Sequence, residues 1–279
     1  RNHSSAASDV YKRQGLHTEI SKAQVSESDS LELVNFYYAT GGDNWNNNDG
    51  WLVEPVSEWL GITLTDDETQ IYKINLDYNS LIGTIPNLNL PSLVELRLYN
   101  NQLIGNIPNF SNLPNLELLS LSFNGLTGTI PDFNNLVNLE RILLFSNELT
   151  GTITDFSNLP NLRFLNISGN QLTGNLIDFS NLPTLETLYV DGNNLTGTVP
   201  DFQNISSLQS LDVRFNEFVG TIPNFSNLPN LILFLCCSND FFGAIPDFEN
   251  CPNLLVESIN FTCVQQAKVK GTIFYDENQ

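Results

Sequence analysis

An asparagine that returns every 22 or 23 residues, followed each time four positions later by a glycine, constrains this chain more than any other feature. The asparagines are Asn79, Asn101, Asn124, Asn147, Asn170, Asn193, Asn216 and Asn239; the first step is 22 residues and every later one is 23. The glycines are Gly83, Gly105, Gly128, Gly151, Gly174, Gly197, Gly220 and Gly243. Nine positions after each asparagine comes Leu88 and then seven phenylalanines, Phe110, Phe133, Phe156, Phe179, Phe202, Phe225 and Phe248. A fixed period of this length marks units too small to bury an apolar face alone, which must therefore stack on one another.

One unit shows how a rung is built. Leu119 and Leu121 alternate with polar neighbours, so they point to one face of a short strand while Leu118, Ser120 and Ser122 point to the other. Asn124 sits where the chain leaves the strand, and an inward amide there pairs backbone groups that would otherwise be buried without partners. The pattern L-x-L-x-x-N-x-L-x-G-x-I-P resembles the leucine-rich repeat, in the subtype common in plant receptors and also found in secreted bacterial proteins. The resemblance spans Ile71 to Cys263, with Thr154 and Ile177 in place of the usual proline. It implies an α/β fold class: a right-handed solenoid with a curved parallel sheet on its concave face, short helical or extended convex segments and a helical N-terminal cap.

The expected organisation has four parts. Residues 1–22 lack an apolar period and resemble translated sequencing-adapter DNA, so they are set aside, and the chain is read as a fragment of a longer, metagenomic reading frame. Residues 23–70 resemble the family's N-terminal cap, with helical spacing over 30–40 and all three tryptophans; those tryptophans are read as cover for the open first rung rather than as a sugar-stacking platform. Residues 71–263 hold eight repeats and a C-terminal cap, where Cys251 and Cys263 are a possible disulfide. Residues 264–279 resemble the first strand of a truncated β-sandwich domain of bacterial surface proteins.

Charge and composition then narrow function. A net charge of −20, from 31 acidic against 11 basic residues, repels polyphosphate, so nucleic acid is not an expected partner. No apolar run reaches the ~18 residues a membrane span requires. Both histidines, His3 and His17, fall in the opening stretch, which leaves the body without the usual general base or metal ligand. No enzyme activity, cofactor or metal is expected.

Three columns are candidate sites. The outward strand positions of the concave face carry four of the five basic residues between 23 and 262, together with aromatic side chains. Arg97, Tyr99, Arg141, Leu143, Phe145, Phe164, Tyr189, Asp191, Asp212 and Arg214 are accordingly expected to bind a protein or glycan ligand. The column Asp132, Asp155, Asp178, Asp201 and Asp247 either bridges calcium or caps the turns that follow it, and capping is preferred. Thr84, Thr129, Thr152, Thr198 and Thr221, beside Thr127, Thr150, Thr173 and Thr196, form a ladder able to order water. The resulting expectation is a non-catalytic binding or adhesion module, secreted or on the cell surface, with a carboxylate-dependent glycan hydrolase or an ice-ordering protein as alternatives.

Overall fold

A computed structural model describes residues 25–246 and 248–255. It opens with one helix, α1 (Glu27–Ala39), which starts a turn before the stretch whose spacing predicts it. Ser26 is the reason: its hydroxyl accepts the Asp29 N–H at 3.1 Å, and two acids, Glu27 and Asp29, occupy the first turn. Behind the helix Trp45, Trp51 and Trp59 are all buried. Each indole N–H reaches a carbonyl, Thr40 at 2.9 Å, Leu60 at 2.9 Å and Glu54 at 2.7 Å, so these rings are core and not a sugar platform. Tyr37 packs among them, and burial together with its bond to Asp43 pushes its phenol up to about 12.

Nine strands make the concave sheet: β1 (Ile62–Leu64), β2 (Ile71–Asn75), β3 (Glu95–Arg97), β4 (Leu118–Ser120), β5 (Arg141–Leu143), β6 (Phe164–Asn166), β7 (Thr187–Tyr189), β8 (Ser210–Asp212) and β9 (Leu233–Leu235). From β2 onward the strands lie in chain order and parallel, one per repeat, with Leu119 opposite Ile142 and Ile142 opposite Leu165. β1 is antiparallel to β2, an arrangement the repeat pattern did not announce; it covers a sheet edge that would otherwise be open. Lateral strands, such as Gln102–Asn106 and Gln171–Asn175, pair across the glycine corners.

The ladder asparagines hold the rungs together. The Asn147 carboxamide oxygen accepts the Leu126 N–H of the rung before it at 3.1 Å, while its NH₂ donates to Leu121 O of that rung and Leu144 O of its own, at 3.1 and 3.0 Å. Asn101, Asn124, Asn170, Asn193, Asn216 and Asn239 repeat this connection. Asn79 has no rung before it and bonds the backbone of Asn47 instead, which docks the cap. The glycine that follows is required at the same joint: Gly83 has φ +96°, and a Cβ there would stand 2.4 Å from Ala39 O.

The convex segments form single turns, not helices. Asp155 Oδ1 accepts the Ser157 N–H at 3.0 Å and Asp178 Oδ1 that of Ser180 at 3.0 Å, with Asn109, Asp132 and Asn224 doing the same. Asp132, Asp155 and Asp178 of the aspartate column therefore cap turns; Asp247 lies outside the described residues. Each turn holds its central phenylalanine at a left-handed φ, from 48 to 52° across the seven rungs. That backbone costs about 1–2 kcal/mol per residue, and burying the ring returns about 1.5–3 kcal/mol. A second polar column, nine residues before each ladder asparagine, donates to the preceding rung, for example Asn138 to Pro114 O at 3.0 Å.

The two columns differ in depth, so their replacement should differ in cost. Asn147→Leu strands three buried backbone groups and should lower unfolding free energy by about 3 kcal/mol, whereas Asn138→Ala, at a wetter position, should lower it by about 1 kcal/mol or less; urea denaturation followed by circular dichroism measures both. Equal losses would show that the inner ladder is not what joins the rungs.

Candidate functional site

In-register stacking places the concave side chains in three columns. Across the sheet the first runs Lys73, Glu95, Leu118, Arg141, Phe164, Thr187; the second Asn75, Arg97, Ser120, Leu143, Asn166, Tyr189, Asp212; the third, just past the strand ends, Asp77, Tyr99, Ser122, Phe145, Ser168, Asp191, Arg214. A fourth column at the rim was not anticipated: Tyr78, Phe123 and Phe215, immediately before ladder asparagines, take φ of 57, 54 and 51°. The left-handed turn swings these rings outward at the rim, leaving Tyr78 and Phe123 62% and 44% exposed. Their only signal in the sequence is an aromatic residue directly preceding the asparagine.

The first rungs assemble a continuous aromatic cluster. Tyr78 meets Tyr99 at 5.1 Å, Tyr99 meets Phe123 at 5.5 Å, and Phe123 meets Phe145 at 5.2 Å, all edge to face. Tyr99 and Phe145 also approach to 6.1 Å although they stand two rungs apart. Ser122 between them makes this possible: it is fully buried beneath the rings, and its hydroxyl accepts the Phe145 N–H at 3.1 Å. Ser120 and Ser122 point to the concave side as alternation requires, yet they form its floor rather than its surface. Farther along, Arg141 lies over the Phe164 ring at 4.7 Å and Phe164 meets Tyr189 at 5.9 Å, while Leu143 is half-buried on the same strand as Arg141.

The last rungs are polar. Asp212 was expected to contact ligand, but it is only 4% exposed and grips Arg214 through both oxygens, with Nε at 3.0 and 3.1 Å and the second nitrogen at 2.7 Å. It positions the guanidinium and raises that group's pKa instead of meeting solvent. Asp191 accepts from the Ser168 hydroxyl, and burial pushes its carboxyl above the usual range despite that bond. Arg97 reaches Asp77 at 3.4 Å, and Tyr99 is raised by the neighbouring Tyr78 hydroxyl. Cys251 is buried with its thiol 3.4 Å from Phe225 O; Cys263, its expected partner, lies outside the described residues. Among the described residues, no group of three His, Cys, Asp or Glu could hold a metal ion, and no helix is long and apolar enough to cross a membrane.

Two carboxylates calibrate this picture. Asp67, exposed and bonded by the hydroxyls of Thr65 and Thr69, is held below the usual range, whereas Asp191 is raised. Carboxyl-carbon NMR should therefore find Asp191 still partly protonated at a pH where Asp67 is fully ionised; the reverse order would contradict the burial of Asp191.

Comparison with known proteins agrees with this geometry. A family profile described as Leucine Rich repeats (2 copies) matches residues 160–204, and one described as Leucine Rich Repeat matches 115–136. No curated protein matches the sequence significantly. Among solved structures, the ectodomain of the plant membrane receptor kinase GASSHO1/SCHENGEN3 from Arabidopsis thaliana, in complex with CASPARIAN STRIP INTEGRITY FACTOR 2, is 30% identical with a TM-score of 0.75 over 81% of this chain and 29% of its own. The plant peptide hormone receptor RGFR1, in complex with RGF2, is 39% identical with a TM-score of 0.62 over 64% of this chain and 30% of its own. The chain thus spans less than a third of either receptor. A plant ice-binding protein is 26% identical with a TM-score of 0.53, over 88% of this chain and 97% of its own. With its rungs, its asparagine ladder and these profiles in agreement, the chain is a leucine-rich-repeat protein.

Proposed function

We propose that this chain is the recognition part of a larger extracellular protein, a non-catalytic module that holds an extended peptide or protein segment on its concave face. The observation that carries the proposal is the aromatic cluster of Tyr78, Tyr99, Phe123 and Phe145, an exposed apolar patch on a chain of net charge −20. The two receptor structures described above, each solved with a bound partner, support it. A rigid, preformed surface loses little entropy when it binds, which suits an extended ligand with few strong contacts of its own. The rings meet one another edge to face, at 70 to 83°, so they offer a notched surface for apolar side chains more than the open ring faces a sugar stacks on. In this proposal residues 23–70 are the cap, 71–263 the repeats with their closure, and 264–279 the start of a further domain. Hydrolysis is disfavoured because Asp191 and Asp212 are engaged by Ser168 and Arg214. Sustained turnover of a polysaccharide would overturn that.

Peptides selected from a displayed random library should bind the protein and lose at least tenfold in affinity when Tyr99, Phe145 and Tyr189 are all changed to Ala, with the circular dichroism spectrum unchanged. Equal binding would place the site elsewhere.

A second reading has its own observation. The lateral columns are Ile82, Ile104, Thr127, Thr150, Thr173, Thr196, Val219 and Phe242, and beside them Thr84, Asn106, Thr129, Thr152, Asn175, Thr198, Thr221 and Ala244. Not one of these positions is charged, and the second column is exposed at every rung. Its repeat of about 4.8 Å from rung to rung is a regular spacing able to order water, a reading supported by the likeness to the plant ice-binding protein. If so, the protein slows ice recrystallisation and Thr152→Lys abolishes the effect; no effect from the unaltered protein removes this reading.

A further inference from the structure

Four of the five basic side chains of the described residues are already neutralised. Lys73 pairs with Glu95 at 2.5 Å, Arg97 with Asp77 at 3.4 Å, Arg163 with Glu186 at 2.5 Å and Arg214 with Asp212 at 2.7 Å. Arg141 forms no salt bridge among the described residues, although it belongs to a chain with nearly three acids for every base. Its strand, β5, is the fifth of the nine in the concave sheet. The flanking first-column residues are Leu118 and Phe164, and the nearby acids Glu117 and Glu140 stand one position outside that column without bridging to it. The guanidinium carbon lies over the Phe164 ring at 4.7 Å, and the side chain is exposed with no salt bridge among the described residues to occupy its N–H groups.

We infer that Arg141 is a carboxylate-recognising anchor and that the ligand is a peptide carrying one Asp or Glu side chain a short distance from an apolar one. The inference rests on concave-face binding and adds to it the chemistry of the ligand. A planar guanidinium with its edge free binds a carboxylate through two parallel hydrogen bonds, a geometry that a lysine cannot reproduce. The same rung sets the spacing. Arg141, Leu143 and Phe145 alternate along one rung, so the backbone positions that carry the cation and the Phe145 ring of the cluster stand about 13 Å apart, the reach of four extended residues. The acidic body repels a strongly acidic peptide, which leaves one carboxylate within an otherwise neutral or basic segment as the complementary partner.

The displayed random library tests this, with each library peptide joined to its carrier through its C-terminus. Sequences selected on the unaltered protein should be enriched in Asp or Glu at one position and in Phe, Leu or Trp about four residues away. Sequences selected on the Arg141→Gln protein should keep the apolar preference and lose the acidic one. For a synthetic selected peptide, Arg141→Gln and the peptide's own Asp→Asn change should each weaken binding about tenfold, with little further loss when combined, and Arg141→Lys should fall between. Peptides that depend on Tyr99 and Phe145 but show no acidic enrichment, or that lose less than twofold with Arg141→Gln, overturn this inference and leave concave-face binding standing. Peptides that bind the Tyr99, Phe145 and Tyr189 triple variant undiminished overturn both.

Discussion

Everything above the level of a single rung depends on one bond pattern, a buried carboxamide that accepts from the preceding rung and donates to that rung and its own. An unpaired buried amide or carbonyl costs about 1–3 kcal/mol, and each turn out of a concave strand creates several. Asparagine is short enough to sit inside the turn and carries acceptor and donor on one group, which is why no other residue fills the column from Asn79 to Asn239. Because each link crosses to its neighbour, the rungs are locked in register, and in-register stacking is what turns periodic outward positions into surface columns.

Register also explains how chemistry came to be sorted among the faces. The inner column is asparagine and leucine, the convex column a strained phenylalanine, and the lateral columns are uncharged, so the freedom to vary is concentrated on the concave side. There, small residues matter as much as large ones. Serine at rung three lets Tyr99 and Phe145 close over it, and buried Asp212 fixes Arg214 by ion pairing so that Arg141 is left as the cation without a carboxylate. The more exposed pairs, Lys73 with Glu95 and Arg163 with Glu186, add little to stability. Their effect is on the balance of charge that a ligand meets.

Much of this was legible in the sequence because repetition multiplies a weak local signal. One asparagine after a strand says little; eight at a fixed step identify its place and its task. Alternation also assigned Leu119 inward and Arg141, Phe145 and Phe164 outward. It gave side but not depth: Ser120, Ser122 and Asp212 were placed correctly on the concave side, but the expectation that Asp212 meets a ligand missed its burial, since a small or tethered side chain vanishes beneath larger neighbours. Period-two reasoning ends with the strand, and it therefore missed Tyr78 and Phe123, whose left-handed backbone adds them to the rim of the face. The left-handed phenylalanines of the convex turns had a signal in Asp-Phe-Ser, where the acid caps the serine amide, but the conformation is set by the turn and the buried ring together.

The central claim is that a ladder-locked, preformed concave face binds the ligand. Hydrogen–deuterium exchange of the protein with and without a library-selected peptide tests it most directly. Added protection should be confined to the segments 77–79, 97–100, 120–123, 141–146, 164–168 and 187–191, while the ladder-bonded amides of Leu126, Leu149, Leu172 and Leu195 exchange equally slowly in both states. Protection on the lateral strands, or slowing of the ladder amides on binding, would show that the ligand sits elsewhere or that the face is assembled only when the ligand arrives.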